Sequence, residues 1–159
     1  MPNNAPDAEF AAYFAARLPA TRRLAYALCG DWHTADDLVQ TTFVKLYPHW
    51  RKVQDTSIDA YVRRSLVNTF LTHRHRHRRE EVVAEVPERP APEAELHDDL
   101  GRALRALPAQ QRAVVVLRHL EDLSIAEVAE LLQIAEGTVK SQASRGITAL
   151  RAAMSLQEK

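Results

Sequence analysis

The sequence is poor in several features, and each absence excludes a class of protein. It holds a single cysteine, Cys29, so it cannot form an internal disulfide bond. Its four glycines are scattered, and no glycine-rich segment of the kind that cradles phosphate groups is present. No apolar run approaches the roughly 18 residues of a membrane span, and the first residues lack the basic-then-apolar order of a signal peptide. We therefore expect a soluble, cytoplasmic protein with no membrane segment.

The pattern of apolar residues indicates the fold class. Proline and glycine are sparse outside one stretch, and no segment alternates apolar and polar residues as a half-buried strand does. Hydrophobic residues make up 46% of the 159 residues, which is ample for helical cores. The sequence therefore predicts an all-α protein.

The net charge of zero conceals three blocks of different charge. Residues 1–79 carry 12 basic and 7 acidic residues, and residues 100–159 carry 8 basic and 6 acidic residues. Between them, residues 80–99 carry 1 basic and 8 acidic residues together with three prolines, a composition that cannot continue a helix and buries little. We predict two small helical domains, at 10–79 and 100–155, joined by a flexible acidic linker at 80–99. Residues 1–9 are predicted to be a flexible N-terminus.

The last third of the chain has the pattern of a helix-turn-helix. Ser124 and Glu127 have the spacing of a capping box, and the apolar residues that follow predict a helix up to a turn at 133–136. A second helix is predicted from Thr138 onward, with Gly137 at its start. One face of that helix is apolar, comprising Val139, Ala143, Ile147, Leu150 and Met154.

The other face of this helix, with its flanks, is polar and cationic. Its side chains are suited to phosphates and base edges. We predict a DNA-recognition surface consisting of Thr138, Lys140, Ser141, Gln142, Ser144, Arg145 and Thr148. The alternative interpretation is an amphipathic helix pair of the kind found in any helical bundle.

The N-terminal domain is predicted to contain three helices. The first runs from Phe10 to Cys29, with Gly30 as the residue that ends it. The second is predicted to be capped by Thr34, with acidic residues in its first turn, and to end or bend at Pro48. The third covers 57–79. One of its faces combines an aromatic ring, an amide and cations, which can stack on bases and bind phosphates. The residues of that face are Tyr61, Arg64, Asn68, Thr72, His75 and Arg79.

The third helix ends in alternating histidines and arginines, from His73 to Arg79. His73 and His77 are four residues apart, a spacing that also suits a metal site. No cysteine or carboxylate cluster lies nearby in the sequence. We therefore favour a basic edge that binds phosphates, and we predict no metal and no cofactor.

Three segments of the C-terminal part resemble region 4 of the extracytoplasmic-function (ECF) sigma factors. They are Leu107-Pro-Ala-Gln-Gln-Arg-Ala-Val-Val-Val-Leu117 and Leu123-Ser-Ile-Ala-Glu-Val-Ala, continued by Gly137-Thr-Val-Lys-Ser-Gln-Ala-Ser-Arg-Gly146. The last of these is similar to the sigma-E-like subgroup. The resemblance implies that the second helix reads the −35 promoter element. The family usually has Arg in place of Gln142 and Ala in place of Gly146.

The N-terminal part resembles region 2 of the same family. The run Asp36-Asp-Leu-Val-Gln-Thr-Thr-Phe-Val-Lys-Leu46 is similar to region 2.2, which docks on the coiled coil of the polymerase β′ subunit. The run Tyr61-Val-Arg-Arg-Ser-Leu-Val-Asn-Thr69 is similar to regions 2.3 and 2.4, which open and read the −10 element. The loop at 51–56 would form a pocket for a flipped base. The resemblance implies a polymerase-binding set of Asp36, Asp37, Leu38, Gln40 and Lys45.

The resemblance covers residues 10–155 and implies a function and a set of partners. The protein is expected to be a sigma factor that is monomeric when free and is not an enzyme. Its partners would be promoter DNA and core RNA polymerase, through the β′ coiled coil and the β flap, with the linker threaded through the polymerase cleft. An anti-sigma factor is a further candidate partner that the sequence does not identify.

Two other functions are compatible with parts of the pattern. A conventional helix-turn-helix regulator would use 100–155 to bind DNA alone, as a dimer on a palindrome. A small recombinase would need a nucleophile among arginines, and Tyr61 near Arg63 and Arg64 is the candidate.

Overall fold

The computed structural model describes residues 5–53, 57–80 and 99–157, and within these ranges the regular secondary structure is helical, as predicted. The N-terminal half contains helices α1 (Ala5–Cys29), α2 (Trp32–Leu46), α3 (Trp50–Val53) and α4 (Ile58–Glu80), with a 3₁₀ turn at Tyr47–His49. The C-terminal half contains α5 (Asp99–Ala106), α6 (Ala109–Val115), α7 (Ile125–Leu132) and α8 (Glu136–Gln157), with a π-helical turn at Val116–Leu120. Most of the predicted acidic linker lies outside the described residues.

Helices α1, α2 and α4 pack into a bundle that buries one face of each. Leu28, Leu46 and Leu66, one from each helix, are completely buried at its centre. Thr42 is buried with them, and its hydroxyl donates a hydrogen bond to the Leu38 carbonyl oxygen at 2.7 Å. The buried Thr42 hydroxyl is therefore hydrogen-bonded, as buried polar groups in native cores usually are.

The connection between α1 and α2 differs from the prediction in one respect. Gly30 ends α1 with a positive φ of 79°, as expected. The cap of α2, however, is Asp31 and not Thr34, so the helix begins two residues after Gly30. The Asp31 carboxylate accepts hydrogen bonds from the backbone N–H groups of His33 and Thr34 and from the Thr34 hydroxyl. Burial favours a higher pKa for Asp31, but these hydrogen bonds outweigh it and lower the pKa.

Two helix boundaries in this half are informative. Helix α1 begins at Ala5, within the segment predicted to be a flexible terminus, and it continues through Pro19. Aromatic contacts explain the extension, because the Phe10 ring packs edge-on against Tyr47 and Trp50 and so fixes the first turns of α1. Helix α2 ends at Leu46, before Pro48, as predicted.

In the C-terminal half, α5, α6 and α7 pack around the first half of α8. The capping box is present: the Glu127 N–H donates to the Ser124 hydroxyl, and the Ser124 N–H donates to the Glu127 carboxylate. The backbone hydrogen bond from Ser124 lowers the pKa of Glu127. Helix α8 begins at Glu136, two residues before the predicted start, after Gln133 has turned the chain with a φ of 58°.

The apolar face of α8 is buried only in part. Val139 and Leu150 are in the core, as predicted, but Met154 is 36% exposed. Met154 shares this face by its position on the helix but lies in the last turns of α8, where less of the face is covered. Arg151 and Ser155 next to it are exposed as well.

Gly146 is the point of closest approach between α8 and α6. A Cβ atom added there would lie 2.4 Å from Cγ2 of Val115, whose side chain is buried. A valine side chain cannot bend away as a long, flexible one can. The glycine therefore sets how closely the two helices pack.

We predict that Gly146→Ala destabilises the C-terminal half. Overpacking a filled core costs about 1–3 kcal/mol, which exceeds the gain of up to ~1 kcal/mol for alanine over glycine in a helix. Gly137→Ala is the matched control, since nothing lies within 4 Å of its Cβ position, and this variant should be as stable as wild type or more stable. Urea unfolding followed by circular dichroism measures both. Equal stability of the two variants would contradict the close approach.

Candidate functional site

The exposed face of α8 carries most of the residues predicted to contact DNA. Lys140, Ser141, Ser144, Arg145 and Thr148 are exposed, and Thr138 is half-buried at the start of the helix. Two of the hydroxyls are anchored to the helix itself, since Ser141 donates to the Thr138 carbonyl oxygen and Thr148 donates to that of Ser144. The face therefore presents short side chains and two cations, and the packing of the opposite side of α8 in the core keeps them in fixed positions.

Gln142 differs from its predicted neighbours. It is half-buried, and its Oε1 atom is buried without a hydrogen-bond partner. The side chain therefore lies at the edge between the core and the open face of α8. A buried oxygen without a hydrogen-bond donor is energetically unfavourable, so the domain gains stability if a donor group reaches the Gln142 oxygen.

The predicted face of α4 is formed by side chains on successive turns of the helix. Arg64, Asn68 and Thr72 are exposed, and Tyr61 is half-buried. The Arg64 guanidinium is already engaged: Nη2 donates to Oε1 of Glu130 on α7 at 3.1 Å. His75 and Arg79 lie further along α4, but their side chains are outside the described part of the chain, as are residues 54–56 of the predicted base pocket.

The predicted docking face of α2 is exposed, with one exception. Asp36, Asp37, Gln40 and Lys45 are at the surface, but Leu38 is only 2% exposed. The expectation that Leu38 belongs to this contact set is wrong, because its position on the helix turns it into the core of the bundle. Its role is to pack α2 in place.

An apolar groove lies beside this face, between α1 and α2. It encloses about 600 Å³ and is lined by Phe10, Phe14, Leu18, Val39, Phe43, Val44 and Tyr47, with Asp36 and Gln40 at its rim. Val44 is 65% exposed, and Tyr47 is 50% exposed. An apolar centre with a polar rim is the usual anatomy of a protein–protein interface.

Sequence reasoning missed a stack of side chains that holds Asp36. The Arg22 Nε donates to Oδ1 of Asp36 at 2.6 Å, and the same guanidinium lies 4.3 Å from the centre of the Trp32 ring. Trp32 in turn stacks on Tyr26 with ring centroids 4.0 Å apart. The sequence carried no signal for this cluster, because the four-residue spacing within each helix does not say which faces of the two helices pack together.

Metal binding has no support among the described side chains, which contain no cluster of three or more potential ligands. No helix in the described ranges is long and apolar enough to cross a membrane. The described part of the chain presents three candidate surfaces, on α2, α4 and α8, and each carries groups suited to binding macromolecules.

The comparison with protein families assigns both halves of the chain. Residues 13–80 match the family model of sigma-70 region 2, and residues 97–150 match that of sigma-70 region 4. The RNA polymerase sigma-E factor of Streptomyces coelicolor is 40% identical over 149 residues, covering 90% of this chain and 84% of that protein. The ECF RNA polymerase sigma factor SigL of Mycobacterium tuberculosis is 33% identical, covering 86% of this chain and 82% of that protein.

This chain belongs to the ECF sigma factors of the sigma-70 family. Its function is promoter-specific initiation of transcription.

Solved structures agree with the assignment of this sigma factor. The sigma factor RpoE of Bartonella quintana, solved in complex with the anti-sigma factor NepR, superimposes with a TM-score of 0.69 at 28% identity, covering 92% of this chain and 97% of that one. CnrH, solved with the cytosolic domain of CnrY, superimposes with a TM-score of 0.60 at 22% identity and supports the fold alone. Helices α1 to α4 thus correspond to region 2, and α5 to α8 correspond to region 4.

Proposed function

We propose that this sigma factor binds core RNA polymerase through α2, reads the −35 element with α8, and reads and melts the −10 element with α4. One observation carries the proposal: α8 buries Val139 and Leu150 while Ser144 and Arg145 remain exposed on the other side. Because only its apolar side is packed in the core, α8 can place its exposed side in a major groove while the packing of the domain stays unchanged.

At the −35 element we assign a contact to each side chain of α8 from its chemistry. Lys140 and Arg145 would neutralise phosphates or contact guanine edges, and the hydroxyls of α8 would bond to bases or backbone. Gln142 would supply the amide that pairs well with adenine. Its Oε1 atom is buried without a partner in the free domain, so the side chain would have to turn outward to pair with a base.

At the −10 element the face on α4 would act on separated strands. Flipping a base out of the duplex costs a few kcal/mol, and stacking on an aromatic side chain returns about 1–3 kcal/mol per base. Tyr61 would provide that stacking surface, and Arg64 and Asn68 would contact phosphate and base. Thr72, His75 and Arg79 would continue the same face along the strand.

Polymerase docking would use the exposed face of α2 and the groove beside it. Asp36, Asp37, Gln40 and Lys45 form a polar border, and Val44 offers exposed apolar area at the centre. The β′ coiled coil is the partner we assign to this surface, and the β flap is the partner of the C-terminal domain. Arg22 would keep the Asp36 carboxylate in a fixed position before the polymerase arrives.

The chemistry of transcription would belong to the polymerase, since this chain contributes only binding and strand separation. We place its activity in the cytoplasm, as a monomer when free. Two weak DNA contacts suffice, because the holoenzyme makes the second contact intramolecular. An anti-sigma factor is a candidate regulator, given that the Bartonella relative was solved with one.

The experiment that tests this function is run-off transcription from a pool of genomic promoter fragments, using core polymerase with and without the protein. We expect new transcripts that require both components, and alignment of their upstream sequences should give the two promoter elements. Tight binding of a palindromic site by the protein alone, with no new transcripts, would instead identify a conventional regulator.

Tyr61→Phe distinguishes the sigma factor from a recombinase. It removes one hydroxyl and keeps the ring, so transcription should fall by no more than about fivefold, the equivalent of one hydrogen bond of ~1 kcal/mol. Run-off transcription on a mapped promoter measures the effect. Complete loss of activity, together with strand exchange by the wild-type protein, would favour the enzyme.

Arg145→Ala should weaken binding of the holoenzyme to a mapped promoter. A lost contact to a base edge costs about 1–3 kcal/mol and relaxes the preference at one position of the −35 element, whereas a lost phosphate contact weakens all promoters alike. Arg102→Ala is the matched control, because Arg102 is also an exposed arginine of the C-terminal half but lies on α5, where it pairs with Asp99. Equal affinities for the two variants on every promoter would contradict the proposed recognition face.

A further inference from the structure

The first turn of α4 is tied to α1 by a polar contact that we call the α1–α4 bridge, formed by Tyr13, Arg17 and Asp59. The Tyr13 hydroxyl donates a hydrogen bond to Oδ1 of Asp59 at 2.7 Å, and Nε of Arg17 lies 3.2 Å from the same oxygen. Tyr13 and Arg17 lie one turn apart on α1, and Asp59 is the second residue of α4. One carboxylate of α4 is therefore held by two donors of α1 that are distant from it in the sequence.

The Tyr13 ring is itself held by its neighbours in the helical bundle. Its centroid lies 5.3 Å from that of Trp50 on α3 and 6.4 Å from that of Phe43 on α2, and both of these residues are buried. Burial raises the pKa of Tyr13, and the hydrogen bond to Asp59 raises it further, so the hydroxyl stays protonated at neutral pH. Asp59 therefore meets a donor whose position is set by packing against α2 and α3.

The bridge lies next to Tyr61, the aromatic residue of the proposed −10 face. Tyr61 follows Asp59 by two residues, and its N–H donates to the Ser57 carbonyl oxygen at 3.1 Å, so both residues belong to the start of α4. Val62 and Leu66 bury the other side of the helix in the core. Apolar burial is non-directional, so it holds α4 against the bundle but resists small rotations weakly. The hydrogen bond of the bridge is directional and supplies the missing restraint.

Small rotations of α4 are large enough to matter for Tyr61. A rotation of about 5° moves an atom at the rim of a helix, roughly 5–6 Å from the axis, by about 0.5 Å. Groups in a binding site must be held to within ~0.5 Å of their working positions. A restraint on the first turn of α4 therefore acts on the placement of the Tyr61 ring.

We propose that the α1–α4 bridge positions Tyr61 for stacking on an unpaired base of the −10 element. This role rests on the function assigned to α4 above. Tyr13, Arg17 and Asp59 are not among the residues assigned to contact DNA, so they act through Tyr61 as positioning residues. Aromatic rings attract each other only in a narrow range of orientations and separations, so stacking weakens when the ring of Tyr61 is displaced.

A purely structural role for the bridge would have different consequences. The side chains of Arg17 and Asp59 are 43% and 52% exposed, and exposed ion pairs contribute little to stability. A loss of stability lowers the amount of folded protein and so weakens binding to every oligonucleotide by the same factor. A loss of positioning weakens only the contribution of the base that stacks on Tyr61. Removing one base at a time separates the two effects.

The test measures binding of the holoenzyme to single-stranded 12-mers by fluorescence anisotropy. Each 12-mer carries the non-template −10 sequence of a mapped promoter, with one base at a time replaced by an abasic site. The resulting fold-loss of affinity is the penalty at that position. Tyr61→Leu identifies the stacked base, as the position at which the wild-type penalty disappears.

Tyr13→Phe then removes the bridging hydroxyl and keeps the ring against Trp50. Thr21→Val is the matched control, because it also removes one hydroxyl from α1. That hydroxyl donates to the Arg17 carbonyl oxygen at 2.8 Å within the helix and does not reach α4.

In wild type, removal of the stacked base should weaken binding by about fivefold or more. Tyr13→Phe should reduce that penalty by about two- to fivefold, the equivalent of one hydrogen bond, and leave the penalties at other positions unchanged. The double variant Tyr13→Phe, Arg17→Gln should reduce it further, and Thr21→Val should match wild type throughout.

An unchanged penalty at the stacked base in the double variant would overturn the positioning role, even if affinity for all 12-mers fell uniformly. A series in which Tyr61→Leu alters no penalty would overturn it as well, since no base would then stack on Tyr61. Absence of run-off transcripts with wild type would instead count against the proposed function, and the positioning role would fall with it.

Discussion

The structure depends above all on how α8 is held. Val139 and Leu150 anchor it in the core of the C-terminal domain, and Gly146 lets it approach Val115 on α6 without a side chain between them. These contacts fix the rotation of α8 about its axis, and the rotation determines which residues face outward. The exposed side chains of a DNA-reading helix can distinguish bases only if the packing behind the helix holds them in fixed positions. The recognition surface is therefore a consequence of the packing behind it.

The second constraint is the distribution of charge in a chain whose net charge is zero. The cations that we assign to DNA binding lie on α4 and α8, and the acidic residues are concentrated in the linker, on α2 and around α7. In the free protein some of these opposite charges meet, as Arg22 and Asp36 do within one domain and Arg64 and Glu130 do between domains. Binding of polymerase or promoter would exchange internal partners for external ones. Weak, exposed pairs suit that exchange because breaking them costs little.

Much of this organisation could be predicted from the sequence, because it is encoded locally. The capping box at Ser124, the end of α1 at Gly30 and the polar face of α8 all follow from spacing within a few residues. The errors arose where tertiary contacts decide the outcome. Aromatic packing of Phe10 extends α1 to Ala5. The cap of α2 is a different kind of error, because Asp31 and Thr34 are both local candidates and the hydrogen bonds of Asp31 decide between them. Leu38 lies on the apolar side of α2 by helical spacing, so its burial agrees with the periodicity and disagrees only with the docking set that the resemblance implies. The exposure of Met154 depends on how far the neighbouring helices extend, information that helical periodicity does not contain.

The candidate site likewise has parts that could be predicted from the sequence and parts that could not. The faces on α4 and α8 could be proposed from the sequence because polar and cationic residues recur there at helical spacing. The Arg22–Trp32–Tyr26 stack and the contacts between Arg63, Arg64 and the C-terminal domain escaped detection, since they join residues far apart in the chain. Such contacts follow from the relative placement of helices and domains, which composition and periodicity do not specify.

The central claim is that the packing behind α8 determines which of its side chains face the −35 element. Photocrosslinking tests it directly, with a crosslinker attached to a cysteine introduced at Ser144 on the exposed face or at Met154 on the apolar side of the same helix. Burial raises the pKa of the native Cys29 thiol to about 11, so that thiol should react far more slowly at pH 7 than the introduced cysteine. We predict that the promoter-bound holoenzyme crosslinks to −35 DNA from position 144 and far less from position 154. Equal crosslinking from both positions would contradict the account.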